Sequence, residues 1–257
     1  MDKIENQPLV VSFISGKGSI GKSTILSLLA KVLSKEYASI LIWDNDIYSP
    51  IQHILNGVEP NISLLEVVTN NIAAHKAITK VSNRIFLVGG ANRFDIDIDM
   101  SEALVHKFME LLKENDFDIV LVDCHSGFSK IILNFSKISS VSLLFLSDEP
   151  TSILDAYGLT KILYKFFGIK KIATVVNNVV DNEDGLSIAK VFNQATTNFL
   201  GTEFSNFGII PYEKDLKKYI FNLEDFVKNK ASNEFLESCR KLAGKINTLK
   251  FDANIFV

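Results

Sequence analysis

Short apolar segments alternate along the chain with longer stretches of helical spacing. The apolar segments span residues 9–14, 40–43, 84–88, 119–122, 141–146 and 172–176, with a weaker one at 207–210. Helical spacing of apolar residues covers residues 22–33, 63–68, 101–112, 151–167, 186–199 and 233–249. Uninterrupted apolar strands are typical of strands that are buried on both faces. The pattern therefore predicts an α/β fold, with a mostly parallel sheet covered by helices on both faces.

We expect a single domain over residues 1–257, because the chain has no linker, repeat or low-complexity stretch. Within it, we expect a flexible N-terminus at residues 1–8 and a C-terminal helix and tail at residues 231–257. Ligands of such sheets bind at the carboxyl ends of the strands. The loops that follow the strands are therefore the place to look for chemistry.

Composition and charge narrow the classes of protein. The chain has 47% hydrophobic and 22% charged residues, which excludes a disordered chain and a coiled-coil rod. Its formal net charge of −3 does not favour nucleic acid as a partner. No apolar run approaches the roughly 18 residues of a membrane helix, and the first residues lack the order of a signal peptide. We therefore expect a cytoplasmic location.

The cysteines and histidines offer no metal or redox motif. Cys124 and Cys239 are far apart and form no C-x-x-C pair, which excludes a disulfide framework, a zinc finger and a thiolate-held iron–sulfur cluster. The four histidines are scattered, so a structural metal site is not expected. Residues 46–50 (D-I-Y-S-P) resemble the Mrp iron–sulfur carriers, but those need a C-x-x-C pair, and we set that interpretation aside.

The strongest motif follows the first predicted strand. Residues 16–23 read G-K-G-S-I-G-K-S, which fits the phosphate-loop pattern G-x-x-x-x-G-K-[ST] between a strand and a helix. In this motif Lys22 would reach the β- and γ-phosphates of a nucleotide, and Ser23 would hold Mg²⁺. The alternative is a tight turn with incidental lysines. The nucleotide-binding residues expected here are Gly16, Lys17, Gly18, Ser19, Ile20, Gly21, Lys22, Ser23 and Thr24.

Carboxylates follow two further strands. Asp44 and Asp46 come directly after residues 40–43, and Asp123 follows residues 119–122 in the Walker B pattern. A Walker B aspartate holds a water of the Mg²⁺ shell. The Asp-Asn-Asp segment could also be a turn held by side-chain hydrogen bonds. The nearby phosphate loop favours a metal and water site instead.

A second lysine, Lys17, stands one position after the first glycine of the loop. Here the sequence resembles the MinD/ParA ATPases, whose loop reads K-G-G-x-G-K-[ST]. The resemblance implies ATP or ADP and Mg²⁺ as cofactors, a homodimer in the ATP-bound state, and slow hydrolysis that a partner stimulates. It implies that Lys17 is a catalytic lysine acting on the nucleotide of the other protomer.

Further matches to this family run from about residue 10 to about residue 219. They imply that Asp44 contacts Mg²⁺ or its waters and that Asp46 positions and activates the attacking water. They assign Asn177 to adenine recognition, and they assign Pro211 and Tyr212 to a segment whose backbone lies against the base.

Three departures from the family pattern leave an alternative open. Ser19 replaces a glycine, His125 stands in an unusual place after the Walker B aspartate, and Glu213 replaces an aspartate. Serine tolerates a positive φ less well than glycine. A catalytically weak interaction protein on the same fold is therefore one alternative, and a ParA-type DNA or plasmid segregation ATPase is another.

Residues 147–159 are similar to the segment T-P-E-P-T-S-I-T-D-A-Y-A-L of the FlhG (FleN) branch of this family. That resemblance implies control of flagellar number or placement, with the flagellar GTPase FlhF or another positioning protein as partner. The N-terminal element by which such proteins stimulate FlhF is not found in residues 1–8. An amphipathic stripe in residues 233–250 could contact the inner face of the cell membrane, or it could pack on the sheet.

Overall fold

The computed structural model describes residues 7–46, 49–89 and 100–250. Most of the expected flexible N-terminus, and the tail at 251–257, lie outside the described residues. The strands are β1 (Leu9–Ser15), β2 (Ile40–Asp44), β3 (Ile78–Lys80), β4 (Ile85–Val88), β5 (Ile119–Ser126), β6 (Val141–Leu146), β7 (Ile172–Val179) and β8 (Asn206–Pro211).

Helices connect most of these strands. They are α1 (Lys22–Leu33), α2 (Gln52–Asn56), α3 (Leu64–Thr69), α4 (Ser101–Glu114), α5 (Lys130–Ile138), α6 (Pro150–Thr160), α7 (Asn182–Leu200), α8 (Leu223–Asp225) and α9 (Asn233–Thr248). A π-helical stretch, Lys161–Phe166, continues α6, and another, Phe226–Lys230, continues α8.

The eight strands of the described residues form one sheet in the order β3-β4-β2-β5-β1-β6-β7-β8. Neighbouring strands are parallel except for β3 and β4. The strand order reverses at β1, since the chain continues to β2 on one side and to β6 on the other. Ligands bind at such a switch point in open α/β sheets, and the loop after β1 leaves the sheet there.

Both faces of the sheet are covered, as the apolar pattern predicts. Leu9, Val11 and Phe13 of β1 pack in one layer with α1 and α9. Val10 and Ile14 pack in the opposite layer, which α4, α5, α6 and α7 cover. The predicted single-domain α/β fold with a mostly parallel sheet is confirmed. Sequence patterning did not predict β3, α2, α5 or α8, which are short or read as plain apolar runs.

The C-terminal helix α9 packs on the sheet with its apolar stripe turned inward. The buried residues of the stripe are Phe235, Cys239, Leu242, Ala243 and Ile246, and α9 contacts β8 and α1. Gly208 of β8 allows this approach, because a Cβ there would lie 3.3 Å from the Leu242 Cβ. Of the two arrangements considered for this stripe, the structure has the packed one. None of the helices in the described part of the chain has the length and apolar character required to span a bilayer.

Candidate nucleotide site

The loop after β1 has the backbone conformation of a tight turn into a helix. Gly21 is the N-terminal cap residue of α1 with φ 82°, and Lys22 is the first helical residue. Ser19 also has a positive φ, 63°, a region that costs a residue with a Cβ roughly 1–2 kcal/mol. The expectation that this position suits glycine better than serine therefore has a structural reason. The start of α1 presents backbone N–H groups that have no partner within the helix, which suits an anion.

Two glycines of the loop are required by close contacts. A Cβ on Gly16 would lie 2.2 Å from the backbone carbon of Asp155, so α6 packs directly on the loop. A Cβ on Gly21 would lie 2.6 Å from Nδ2 of Asn177. That nitrogen donates a hydrogen bond to the Ile20 carbonyl at 2.8 Å. Residues from β7 and α6 thus brace the loop from two sides.

Lys22 lies at the centre of the polar cluster. Its Nζ contacts Oδ1 of Asp123 and lies 3.5 Å from the Ser23 hydroxyl. Lys22 is 8% exposed and Asp123 1% exposed, so this ion pair is shielded from water. The lysine that is expected to bind phosphate is therefore paired with the Walker B carboxylate, Asp123.

Asp44 is the second buried carboxylate. It stands in register with Asp123 on the neighbouring strand, and its oxygens accept backbone N–H groups from Asp46, Ile51 and Gln52 at 3.0–3.2 Å. Burial raises the pKa of Asp44 well above its usual value, and the charge of Asp123 adds to the rise. Two dry carboxylates side by side repel each other, and a divalent cation would relieve that repulsion.

The oxygen donors here fit Mg²⁺ rather than a softer metal. Mg²⁺ is held in nucleotide sites by one or two carboxylates, waters and substrate phosphates. Asp44, Asp123 and the Ser23 hydroxyl offer only oxygen atoms. Within residues 7–46, 49–89 and 100–250, no group of three or more His, Cys, Asp or Glu side chains could hold a metal unaided, so phosphate oxygens would have to complete the shell.

Asp46 and His125 lie near the same cluster. Asp46 is half-buried, and its Oδ1 accepts the Ser49 N–H at 3.0 Å. The charge of Asp46 acts on His125, where it opposes the stronger effect of burial, which lowers the pKa of the imidazole. Burial raises the pKa of the neighbouring Cys124 thiol to about 12, which makes this cysteine inert.

Lys17 contacts its own chain rather than the centre of the cluster. Its Nζ contacts Oε2 of Glu149 and donates to the Thr151 hydroxyl at 3.0 Å. Both groups belong to the segment that resembles the FlhG branch. Glu149 occupies the cap position of α6 without a side-chain capping hydrogen bond. The Ser152 hydroxyl instead accepts the Ser147 N–H.

A cavity of about 340 Å³ opens beside the phosphate loop, a volume suited to a small ligand. It brings together Ser19, Ile20, Gly21, Thr24, Asn177, Pro211 and Tyr212, all of them expected nucleotide-binding residues. Lys217 lies over the Tyr212 ring, 5.7 Å from its centroid. The predicted phosphate and base residues are therefore adjacent in space.

The side chain of Glu213, which is longer than the aspartate of the family pattern, has a structural role. Its Oε2 accepts the backbone N–H of Ser232 at 3.0 Å, and Ser232 caps α9 through the N–H of Phe235. Phe235 lines the cavity. Glu213 thus ties the loop after β8 to the beginning of α9.

Gln52 is the site residue that sequence patterning missed. It is fully buried at the start of α2, and its Nε2 donates to Oδ2 of Asp123 at 2.7 Å and to the Ser23 carbonyl at 3.0 Å. The only sequence signal is an amide among apolar residues shortly after Asp44, which is too weak to single it out.

The two cysteines cannot share a metal. Cys124 packs in the core layer on one face of the sheet, and Cys239 packs in the layer on the other. Both thiols are free and buried. The expectation that they hold no iron–sulfur cluster between them therefore has a geometric reason.

Comparisons with known proteins agree with this architecture. The chain is 24% identical over 253 residues to the antiactivator FleN of Pseudomonas aeruginosa, covering 95% of this chain and 88% of FleN. It is 24% identical over 237 residues to the flagellum site-determining protein YlxH of Helicobacter pylori, covering 91% and 80%. The structure of the septum site-determining protein MinD from Pyrococcus horikoshii, complexed with Mg-ADP, superposes with a TM-score of 0.74 at 20% identity, covering 97% and 99%.

A family model covers nearly the whole chain. The ParA model, described as NUBPL iron-transfer P-loop NTPase, matches residues 6–247. That span contains the phosphate loop, both buried carboxylates, the residues that line the adjacent cavity and all but the end of α9. The chain therefore belongs to the ParA family of P-loop NTPases.

Proposed function

We propose that this protein is a Mg²⁺-dependent ATPase that acts as a dimerisation switch. The observation that carries the proposal is the convergence of Lys22, at the start of α1, with Asp44 and Asp123 on the adjacent strands β2 and β5, beside a cavity of nucleotide size. These are the positive and negative groups that phosphoryl transfer requires in one place. Family membership and the Mg-ADP complex of MinD support the same conclusion.

Each side chain has a proposed task. Lys22 would exchange Asp123 for the β- and γ-phosphates of the nucleotide. Ser23, Asp44 and Asp123 would hold Mg²⁺ or its waters. Mg²⁺ supplies charge neutralisation at the phosphates when it is bound. Asp46 is half-exposed beside this cluster and orients the attacking water as general base.

The base is held in the cavity. Asn177 already uses its Nδ2 to brace the Ile20 carbonyl, which leaves its Oδ1 as an acceptor for an adenine amino group. Pro211 and Tyr212 also line the cavity.

Lys17 is the proposed trans-acting residue. In the single chain it is bound to Glu149 and Thr151, and both of these are exposed. Exposed ion pairs contribute only about 0–1 kcal/mol, so Lys17 can exchange Glu149 for the phosphates of a second copy at little cost. ATP would thereby stabilise a homodimer, and hydrolysis would release it.

The biological role we propose is control of flagellar number or placement in the cytoplasm, with FlhF or another positioning protein as partner. Support comes from FleN and YlxH, which match over 95% and 91% of the chain. Peripheral membrane contact through residues 233–250 would require α9 to leave the sheet, because its apolar stripe is buried there. A segregation role on DNA is the competing outcome.

Light scattering with ATP and Mg²⁺ tests the switch. Wild type should change from monomer to dimer, Lys22→Ala should stay monomeric, and Lys17→Ala should bind nucleotide without dimerising. Asp46→Ala should keep the ATP dimer because it blocks hydrolysis. Lys35→Ala, an exposed lysine near the far end of α1, is the matched control. If ATP neither binds nor changes the mass of the wild type, the proposal is wrong.

Co-sedimentation decides between the two roles. The ATP-bound Asp46→Ala protein is mixed with anionic liposomes or with double-stranded DNA at 150 mM salt. Binding to DNA would favour the segregation role over the flagellar one. Binding to liposomes that Lys241→Ala and Lys245→Ala, both at exposed positions of α9, together weaken would support membrane contact through α9.

A further inference from the structure

The side chain of Gln52 joins three parts of the nucleotide site. Its Nε2 donates to Asp123 of β5 and to the carbonyl of Ser23 in the phosphate loop. Its own backbone N–H donates to Oδ2 of Asp44 at 3.0 Å. Gln52 is the first residue of the short helix α2 and is 0% exposed. One buried amide residue therefore contacts both carboxylates and the loop between them.

The orientation of the Gln52 amide follows from its neighbours. The Ser27 hydroxyl donates to Oε1 at 2.6 Å, and the Asn56 amide lies 3.4 Å from the same oxygen. Rotating the amide by half a turn would place Oε1 against the Asp123 carboxylate and the Ser23 carbonyl, and all three groups are acceptors. Both N–H groups of the side chain are therefore committed to the nucleotide site.

The arrangement divides the two oxygens of Asp123 between two partners. Lys22 contacts Oδ1, and Gln52 donates to Oδ2 at 2.7 Å. When Lys22 turns to the phosphates, Oδ1 loses its cation and becomes available to the metal shell. Gln52 is neutral and does not compete with a metal for the charge of the carboxylate. It can therefore keep Asp123 in the same orientation in both states.

We propose that Gln52 is a positioning residue that sets the Mg²⁺ affinity of the nucleotide site by orienting Asp123 and the Ser23 turn. The inference rests on the proposed ATPase function and adds a residue to it. Hydrogen-bond partners of metal-binding groups fix the geometry of those groups, and their loss costs about 10–100-fold in metal affinity or activity. Gln52 is a hydrogen-bond partner of this kind for Asp123.

The test measures nucleotide binding rather than turnover. Binding of a fluorescent ADP is titrated in EDTA and then against rising MgCl₂, for wild type and for Gln52→Met, which keeps the volume and removes both donors. We expect the affinity in EDTA to stay within about twofold, while the Mg²⁺ concentration for half-maximal enhancement rises about tenfold or more. Lys35→Ala is the control, because Lys35 is exposed beyond the end of α1. Its Mg²⁺ dependence should match wild type.

A double-mutant cycle separates positioning from bulk stability. If Gln52 acts through Asp123, Gln52→Met should change Mg²⁺ dependence by less than about twofold in an Asp123→Ala background. A merely structural residue would weaken binding equally in both backgrounds and in EDTA, and that result overturns the proposal. Gln52→Asn, whose amide is one methylene short of Asp123, is measured in the same way should Gln52→Met not fold. Failure of both variants to fold would make Gln52 a structural brace and would also overturn it.

The two proposals fail in different ways. A wild type that binds no ADP, with or without Mg²⁺, contradicts the proposed function itself. A wild type with Mg²⁺-enhanced binding and a Gln52→Met variant with the same enhancement contradicts only the inference about Gln52.

Discussion

Removing Lys22 should destabilise the nucleotide-free protein more than removing Asp123. The two side chains form an ion pair that is 8% and 1% exposed, and Asp44 lies beside Asp123 in register. Lys22→Ala leaves two adjacent carboxylates shielded from water, whereas Asp123→Ala leaves one cation near one carboxylate. The two variants differ in stability because Asp44, which is not a member of the ion pair, stays beside whichever partner remains.

The magnitude follows from the spacing of the strands. Removing one partner of a buried ion pair costs about 3–5 kcal/mol, which is the loss expected for Lys22→Ala. Neighbouring strands lie about 4.8 Å apart, and two unit charges at about 5 Å repel by roughly 3 kcal/mol at an effective dielectric constant of about 20. Proton uptake by Asp44, whose pKa is already raised, limits this repulsion. We therefore expect Asp123→Ala to cost at least about 1 kcal/mol less.

Urea unfolding followed by circular dichroism, in EDTA and without nucleotide, measures both losses. Lys35→Ala, with its exposed side chain, is the control and should match wild type. The Lys22→Ala penalty should become smaller as the pH is lowered, because burial and Asp123 raise the pKa of Asp44. A carboxyl group whose pKa is raised by folding contributes stability below its unfolded pKa, and this is lost as the pH rises through the folded value. The reasoning would be refuted if the two variants lost the same free energy of unfolding, or if the difference between their losses did not change with pH.

Three further outcomes are expected. Ser19→Gly should stabilise the nucleotide-free protein by about 1 kcal/mol, because φ is 63° there; a lower melting temperature would contradict this. Leu242→Ala should cost about 2–5 kcal/mol and speed amide exchange across α9, since Leu242 is fully buried against β8; unchanged exchange in α9 would count against it. Asn177→Ala should weaken ADP binding about tenfold, because the loop loses the hydrogen bond to the Ile20 carbonyl and the cavity loses a lining side chain. Titration with a fluorescent ADP measures this affinity, and an unchanged affinity would show that Asn177 is not part of the site.

The contact between Lys17 and Glu149 bears on how a switch of this kind would be controlled. Lys17 is 36% exposed and Glu149 58% exposed in the pair, so solvent screens it and the pair is weak. A second copy carrying phosphates would compete with Glu149 for the same ammonium group. Glu149→Ala should therefore change dimer affinity by no more than about fivefold.

The strands and the phosphate loop could be predicted from the sequence because their causes are local. A strand buried on both faces needs an uninterrupted apolar run, such as residues 40–43 of β2, whichever strand it later pairs with. A phosphate loop needs glycines and a lysine at fixed spacing within eight residues. Asp44 at the end of β2 and Asp123 within β5 were predicted for the same reason, since each directly follows an apolar run.

Only the tertiary structure decided which distant groups meet. Gln52 gives no periodic signal, and it becomes part of the site because α2 turns its amide towards Asp123. Lys17 and Glu149 are 132 residues apart. Glu213 reaches α9 at Ser232 only because β8 and that helix are neighbours. The apolar stripe of α9 shows this most clearly, because the same apolar spacing suits a lipid surface or a protein sheet. Which of the two it contacts depends on whether β8 and α1 leave an apolar face uncovered. That property belongs to the tertiary structure and cannot be read from any local sequence pattern.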